Sequence, residues 1–241
     1  MIERGARHAL ARRSELTAGM RDSVGLGFAL VPIGLAFGYA ADAVGLSWWL
    51  AALMSATVYG GPSQFLAVDL IAAGAAVPAI VVTTFVANLR YTLFAASLAP
   101  HLRDAPARRL LPLSHGVADG SYAVVLAHAR AHPGRRRLDR YLAGSFVVSF
   151  GAWVSATVVG ALLGDVLPDV LAYGLDFATP AIFIAFLVPY VRDGVAVAVL
   201  LVAGLGTVIG TGQLPGGTAP VVAILAAALL GGALRWRRRP R

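Results

Sequence analysis

Long apolar stretches separated by short polar loops dominate the chain. Most stretches are close to the roughly 20 residues that a helix needs to cross the hydrocarbon core of a bilayer. They are apolar on all sides rather than along one face, which is typical of helices surrounded by lipid or by other apolar helices. The segments cover roughly residues 24–42, 47–71, 77–99, 113–131, 141–164, 169–190, 194–211 and 219–235. The pattern predicts an all-α, polytopic membrane protein with seven or eight transmembrane segments, some of them broken or re-entrant.

The segment 113–131 is the weakest of these, and it can be a buried span, a re-entrant piece or an interfacial helix. Its polar residues include His115, Asp119, His128 and Arg130. If all eight segments cross and the N-terminus is inside, the arginine cluster at 103–109 falls outside, against the positive-inside rule. Either 113–131 does not cross, or an earlier segment is re-entrant.

The short connections between segments predict one transmembrane domain over residues 24–235. Residues 1–23 carry several arginines and no apolar core, so we expect a basic cytoplasmic or interfacial segment rather than a signal peptide. Residues 236–241 form a basic tail that we expect in the cytoplasm.

Composition supports a membrane protein and excludes several other classes. Of the 241 residues, 58% are hydrophobic and 13% are charged, whereas soluble domains average about 25% charged residues. The net charge of +8 comes from arginines at the termini and in short loops, which suits anionic lipid headgroups better than nucleic acid. With no cysteine, no metal-ligand spacing and no phosphate-binding glycine loop, we expect no cofactor, no metal and no enzymatic activity.

The sequence Gly60-Gly61-Pro62-Ser63-Gln64 interrupts the second apolar segment. Proline lacks a backbone N–H and clashes with the preceding turn, and glycine loosens the helix further. We therefore predict a broken helix whose second half begins near Ser63. Its N-terminus presents N–H groups and a partial positive charge, which suit a carboxylate. Together with Phe65, these residues are predicted to bind a solute; a kink that only shapes packing is the alternative.

A second break is predicted at Thr179-Pro180, with Asp176 one turn earlier. A carboxylate in hydrocarbon is costly, so Asp176 should face the interior and have a partner. It can hold a substrate ammonium or carry a proton, and a structural ion pair is the alternative. Residues 180–185 (PAIFIA) also resemble residues 62–67 (PSQFLA), which indicates a possible internal repeat with a site at its interface.

Arg90 lies near the middle of the segment 77–99, too deep to reach water easily. It needs a carboxylate, from the protein or from a substrate. Asp119 and Asp176 are the candidates, with Asp69 third. Asn88, Arg90, Asp119 and Asp176 thus form the predicted group of coupling or buried polar residues, and for Arg90 itself the sequence favours structural pairing.

The chain contains, in order, Gly60-Gly61-Pro62-Ser63-Gln64-Phe65, Asn88-Leu89-Arg90-Tyr91, Ser97-Leu98-Ala99-Pro100, Asp119 with Tyr122-Ala123, and Gly174-Leu175-Asp176-Phe177-Ala178-Thr179-Pro180-Ala181. From about residue 21 to the C-terminus, this pattern resembles the AzlC family, the large subunits of bacterial branched-chain amino acid exporters. The resemblance implies an inner-membrane permease that works with a small AzlD-type membrane subunit. Family members often have Glu after the Asp, whereas Gly120 follows Asp119 here, so coupling at this position would rest on Asp119 alone.

These observations lead to a predicted permease for hydrophobic amino acids, with its solute site between the two broken helices. The solute carboxylate is expected at the half-helix N-termini near Ser63 and Gln64, with Ala181 as a further position. The ammonium is expected at Asp176 or at helix-end carbonyls, and the apolar side chain against Phe65, Phe177 or Phe183. We expect the proton gradient to drive export and both termini to lie in the cytoplasm. The alternative is a membrane scaffold or assembly subunit without a solute site of its own.

Overall fold

The computed structural model describes residues 15–133, 137–166, 184, 187–188, 191–213 and 218–237, and every regular element in these parts of the chain is helical. The helices are α1 (Val24–Ala43), α2 (Trp48–Thr57), α3 (Gly61–Ala72), α4 (Val77–Asn88), α5 (Arg90–Leu98), α6 (Ala107–Ser114), α7 (Asp119–Ala131), α8 (Leu138–Val166), α9 (Gly194–Thr211) and α10 (Thr218–Arg237). Residues 15–22 are also helical and lead into α1. The prediction of an all-α fold is confirmed.

Among the described residues, four helical stretches are long and apolar enough to cross a membrane: Val24–Ala43, Val77–His101, Leu138–Gly164 and Gly194–Thr211. They match four of the predicted segments, and the apolar stretch Val222–Trp236 of α10 overlaps a fifth. The predicted segment 169–190 lies almost entirely outside the described residues. The chain is a polytopic helical membrane protein.

The contacts divide the chain into two compact units, which are described separately. The first comprises Met1–Phe65 and Ala87–Leu175, and the second comprises Leu66–Val86 and Asp176–Arg241. In the second unit α9 and α10 pack closely, because Gly206 faces Ala223 and Gly231 faces Val199. Asp193 caps α9 by accepting a hydrogen bond from the Ala196 N–H at 2.7 Å.

The first unit is built on α1 and α8, which lie side by side and run in the same direction. At the start of α1, the Ser23 hydroxyl donates to the Ser145 hydroxyl at 2.7 Å. Further along, Gly27 packs against Val148, Gly34 against Ala156, Gly38 against Thr157 and Gly164 against Asp42. Glycine is needed at these crossings because a Cβ at Gly38 would collide with the Thr157 backbone. The two helices therefore begin at one membrane face and end at the other.

The predicted segment 47–71 reverses its direction instead of crossing in one piece. Ser55 of α2 meets Thr157 of α8 at 2.8 Å, whereas Tyr59 meets Ser149, two turns nearer the start of α8. After the break, Gln64 meets Trp153, one turn back toward the end of α8. We call residues 48–65 the first hairpin, and it enters from the face at which α1 and α8 end.

Residues 107–131 form a second hairpin that enters and leaves at the opposite face. Near its start, Arg109 pairs with Asp139 in the first turn of α8 at 3.3 Å. Near its end, the His128 ring stacks on Tyr141 with 3.7 Å between centroids. Between these points Gly116 packs against Phe146, about 10 Å further along α8 at 1.5 Å per residue.

The segment 113–131 is therefore re-entrant, which is one of the alternatives left open by the sequence. The condition that all eight segments cross is not met. The loop that carries Arg103 lies at the same end of the first unit as the start of α1, where the Tyr141 hydroxyl donates to Asp22 at 3.0 Å. The conflict with the positive-inside rule assumed that every earlier segment crosses, and it disappears because the segment 47–71 reverses its direction.

Single introduced cysteines can test this topology without background labelling, because the sequence contains no cysteine. Ala43, Ala107 and Ala131 are exposed and lie at the end of α1 and at the two ends of the second hairpin. We expect Ala107→Cys and Ala131→Cys to react with a membrane-impermeant maleimide from the same face, and Ala43→Cys from the opposite face. Labelling of positions 107 and 131 from opposite faces would show that the segment crosses.

Candidate functional site: the meeting point of two re-entrant hairpins

The tips of the two hairpins touch within the membrane-spanning part of the first unit. His115 at the second tip contacts the Ala56 carbonyl of the first hairpin through Nε2 at 2.8 Å, and its ring lies 5.6 Å from that of Tyr59. Non-helical backbone at this depth is tolerated only where it is buried in protein or lines a water-filled cavity. The tips are therefore the part of the described chain where a polar site can form.

The first tip is the helix break that the sequence predicts. α2 ends at Thr57 and α3 begins at Gly61, two residues before the expected start at Ser63. Tyr59 has a φ of 45°, which is uncommon for a bulky residue and places strain at the tip. Its hydroxyl donates to Ser149 at 2.9 Å, which fixes the tip against α8.

Gln64 holds the break together from a fully buried position. Its amide oxygen accepts from the Gly60 N–H at 3.1 Å and from the Trp153 indole N–H at 3.2 Å. Its amide nitrogen donates to the Ser55 hydroxyl at 3.0 Å. Because both ends of the amide bind protein groups, Gln64 joins α2, α3 and α8. Its predicted contact with a solute stays a prediction.

Arg90 at the start of α5 is paired with Asp119 at the first residue of α7. Arg90 Nη2 donates to Asp119 Oδ2 at 3.0 Å, and the Tyr91 hydroxyl donates to the same oxygen at 3.1 Å. Of the three candidate partners, the structure selects Asp119. The side chains of Arg90 and Asp119 are 33% and 17% exposed, so the pair is largely shielded.

Gly60 brings the first tip against this charged pair. A Cβ added to Gly60 would lie 2.7 Å from the Ser63 hydroxyl, 2.8 Å from the Tyr91 hydroxyl and 3.1 Å from Asn88 Oδ1. The structure thus brings together five of the predicted residues, namely Gly60, Ser63, Asn88, Arg90 and Asp119. The backbone of the break can approach the other groups so closely because position 60 has no side chain.

The remaining predicted site residues lie away from the Arg90–Asp119 pair or outside the described residues. Gly61 contacts Trp153, and Phe65 packs edge-to-face on Phe37 in the core of the first unit, with 5.5 Å between centroids. Pro62 lies in the first turn of α3, where the missing N–H is tolerated. Asp176, Thr179 and Pro180, and with them the second break and the possible repeat at 180–185, lie outside the described residues.

Sequence reasoning missed the residues of α8 that support the break. Ser145, Ser149, Trp153 and Thr157 are spaced by four residues and form a polar row on one face of an apolar helix. Each makes a side-chain hydrogen bond to Ser23, Tyr59, Gln64 or Ser55. This spacing is the signal that could have identified them. In the described part of the chain, no group of three or more His, Asp or Glu residues could hold a metal ion.

The fold and the site define a multi-pass membrane protein with two opposed re-entrant hairpins. The AzlC protein family matches residues 25–167, a range that contains both hairpins, all of α8 and all but the first residue of α1. The chain belongs to the AzlC family.

Relatives from distant organisms support this membership. The inner membrane protein YgaZ of Escherichia coli K12 is 29% identical over 174 residues, which is 70% of each chain. An uncharacterized membrane protein of Archaeoglobus fulgidus is 30% identical over 192 residues, covering 77% of this chain and 80% of the relative. Another from Helicobacter pylori J99 is 29% identical over 194 residues, covering 77% and 82%. No solved structure matches.

The close approach at Gly60 predicts a specific cost for a single methyl group. We expect Gly60→Ala to destabilise the protein by about 1–3 kcal/mol, because the added Cβ overpacks against three polar groups. Thermal unfolding in detergent measures the effect. Gly25→Ala is the matched control, since a Cβ there meets nothing within 4 Å. Equal stability of the two variants would show that the tip does not need glycine.

Proposed function

We propose that this protein is the large subunit of a permease that exports branched-chain or related hydrophobic amino acids across the bacterial inner membrane. The observation that carries the proposal is the meeting of two re-entrant tips around a shielded Arg90–Asp119 pair. Ionisable residues inside membrane segments usually mark solute or proton pathways. Membership of the AzlC family and the relationship to an inner membrane protein support a transport-related role in that membrane.

The proposed solute site lies at the first tip, over the residues Gly60–Phe65. From the sequence, Asp176, Thr179 and Pro180 complete it. The N-terminus of α3 provides backbone N–H groups and a partial positive charge at the tip. A hairpin from each face reaches this point, so one site can be reached from both sides of the membrane.

The arginine-rich end of the first unit is the proposed cytoplasmic end. Arg21, Arg103, Arg108, Arg130 and Arg140 lie there, on residues 15–22, the loop before α6, the two ends of the second hairpin and the start of α8. Positive residues concentrate in cytoplasmic loops. Both chain termini are proposed to be cytoplasmic.

Solute transport, rather than catalysis, is the proposed role of the tips. The Ser63 hydroxyl donates to the Gly60 carbonyl at 2.8 Å, and His115 is engaged with the Ala56 carbonyl. A serine nucleophile needs a base within hydrogen-bond reach, and these contacts use the two groups elsewhere. The proposal includes the proton gradient as energy source and a small AzlD-type membrane subunit as partner, with the bilayer around both.

Proton-driven leucine movement in proteoliposomes tests the proposal. With the small subunit included, we expect an imposed pH jump to drive labelled leucine across the membrane. Asp176→Asn should abolish accumulation, because its carboxylate is proposed to exchange protons beside the second break. Asp69→Asn is the matched control and should keep the rate within about twofold of wild type.

The result separates the permease from the alternative scaffold. Liposomes that contain this chain without the small subunit are therefore measured as well. Leucine transport by this chain alone excludes a scaffold or assembly subunit without a solute site of its own. Full proton-driven transport by Asp176→Asn would place the coupling carboxylate elsewhere.

A further inference from the structure

The charged groups at the hairpin tips balance one another before any solute binds. Arg90 and Asp119 carry opposite charges and lie 3.0 Å apart. A net charge in the interior of a membrane protein is costly. A solute with one positive and one negative group adds no net charge to this pair, whereas a monocarboxylate or a monoamine adds one. The site therefore favours a zwitterion.

Two buried polar atoms beside the pair have no hydrogen-bond partner within the described structure. They are Asn88 Oδ1 and Arg90 Nε. An amide oxygen only accepts hydrogen bonds and a guanidinium nitrogen only donates them. Because buried polar atoms are nearly always hydrogen-bonded in folded proteins, two unused atoms of opposite type on residues two apart in the chain need an explanation.

The position of Asn88 connects these atoms to the helix break. Asn88 Oδ1 and the Tyr91 hydroxyl both approach the point where Gly60 would carry a Cβ, at 3.1 and 2.8 Å. Arg90 uses Nη2 for Asp119 and Tyr91. Its Nε–H can therefore take a further acceptor while the ion pair stays intact.

We propose that Asn88 and Arg90 recognise the two charged ends of an α-amino acid. Asn88 Oδ1 accepts a hydrogen bond from the ammonium, and Arg90 Nε donates one to the carboxylate. The inference rests on the proposed amino acid transport and adds the atoms that select a zwitterion. It moves the expected carboxylate contact from the N-terminus of α3 near Ser63 and Gln64 to Arg90 Nε. The side-chain polar groups of Ser63 and Gln64 already bind Gly60, Trp153 and Ser55.

Competition binding to the purified protein tests this assignment without requiring transport. Labelled leucine is displaced by unlabelled leucine, by 4-methylpentanoate, which lacks the ammonium, and by 3-methylbutylamine, which lacks the carboxylate. We expect each fragment to bind roughly tenfold or more weaker than leucine, since each loses a charge-assisted hydrogen bond and adds a net charge.

Two substitutions should each remove the recognition of one charged end of the solute. Asn88→Leu should weaken the binding of leucine by roughly tenfold and leave the affinity for 4-methylpentanoate unchanged. Arg90→Lys keeps the positive charge beside Asp119 but removes the guanidinium Nε–H. It should therefore weaken the binding of leucine and leave the affinity for 3-methylbutylamine unchanged. Thr92→Val is the control. Thr92 is exposed, and the hydrogen bond described for its hydroxyl goes to the Leu89 carbonyl of the same helix region.

A gain of affinity separates recognition from damage to the fold. Asn88→Asp places a negative charge next to the proposed position of the solute ammonium. Relative to wild type, it should therefore tighten the binding of 3-methylbutylamine and weaken the binding of 4-methylpentanoate. Wild-type protein that binds leucine, with unchanged selectivity in all three variants of Asn88 and Arg90, would overturn the assignment. Wild-type protein that binds no leucine would overturn the proposed function, and this inference with it.

Discussion

The first unit is shaped by the requirement that backbone polar groups within hydrocarbon find partners inside the protein. A hairpin tip breaks the helical hydrogen bonds at the depth where water cannot replace them. The first tip meets the requirement through Gln64, which accepts from the Gly60 N–H while it is itself held by Trp153 and Ser55. The second tip meets it through Ser121, whose hydroxyl donates to the Gly116 carbonyl and accepts from the Ala118 N–H. Each break in the backbone is thus stabilised by one buried polar side chain.

These side chains can act only because α1 and α8 provide a fixed frame. Small residues bring the two helices close together along their full length, and a row of hydroxyls on α8 faces the first hairpin. Hydrogen bonds between membrane helices are individually modest, so their effect here is positional. They set the depth of each tip relative to α8, and this depth places Gly60 beside Asn88 and Tyr91.

The sequence predicted where the helices lie better than whether each one crosses the membrane or turns back. Length and hydropathy identified the four spanning helices of the described chain, and Gly60-Gly61-Pro62 identified the first break, because these signals are local. The reversal of the chain at 58–60 and at 114–118 could not be predicted, since an apolar half-helix has the same composition whether it crosses or returns. The partner of Arg90 was narrowed to three carboxylates, but the choice of Asp119 depends on how deeply the second hairpin reaches. Only the conflict of Arg103, Arg108 and Arg109 with the positive-inside rule pointed to a re-entrant segment.

The opposed hairpins also divide the barrier between the two sides of the membrane. Each is fastened to α8 by its own contact, the first through Ser55 and Thr157 and the second through Arg109 and Asp139. Under the proposed transport function, a solute at the tips would be separated from each compartment by a different, independently anchored half-length element. Displacing one hairpin would then open a path to one side while the other still seals the opposite side. Two gates in series would follow from this arrangement, and alternating access in the first unit would require only short local movements on a stationary α1–α8 frame.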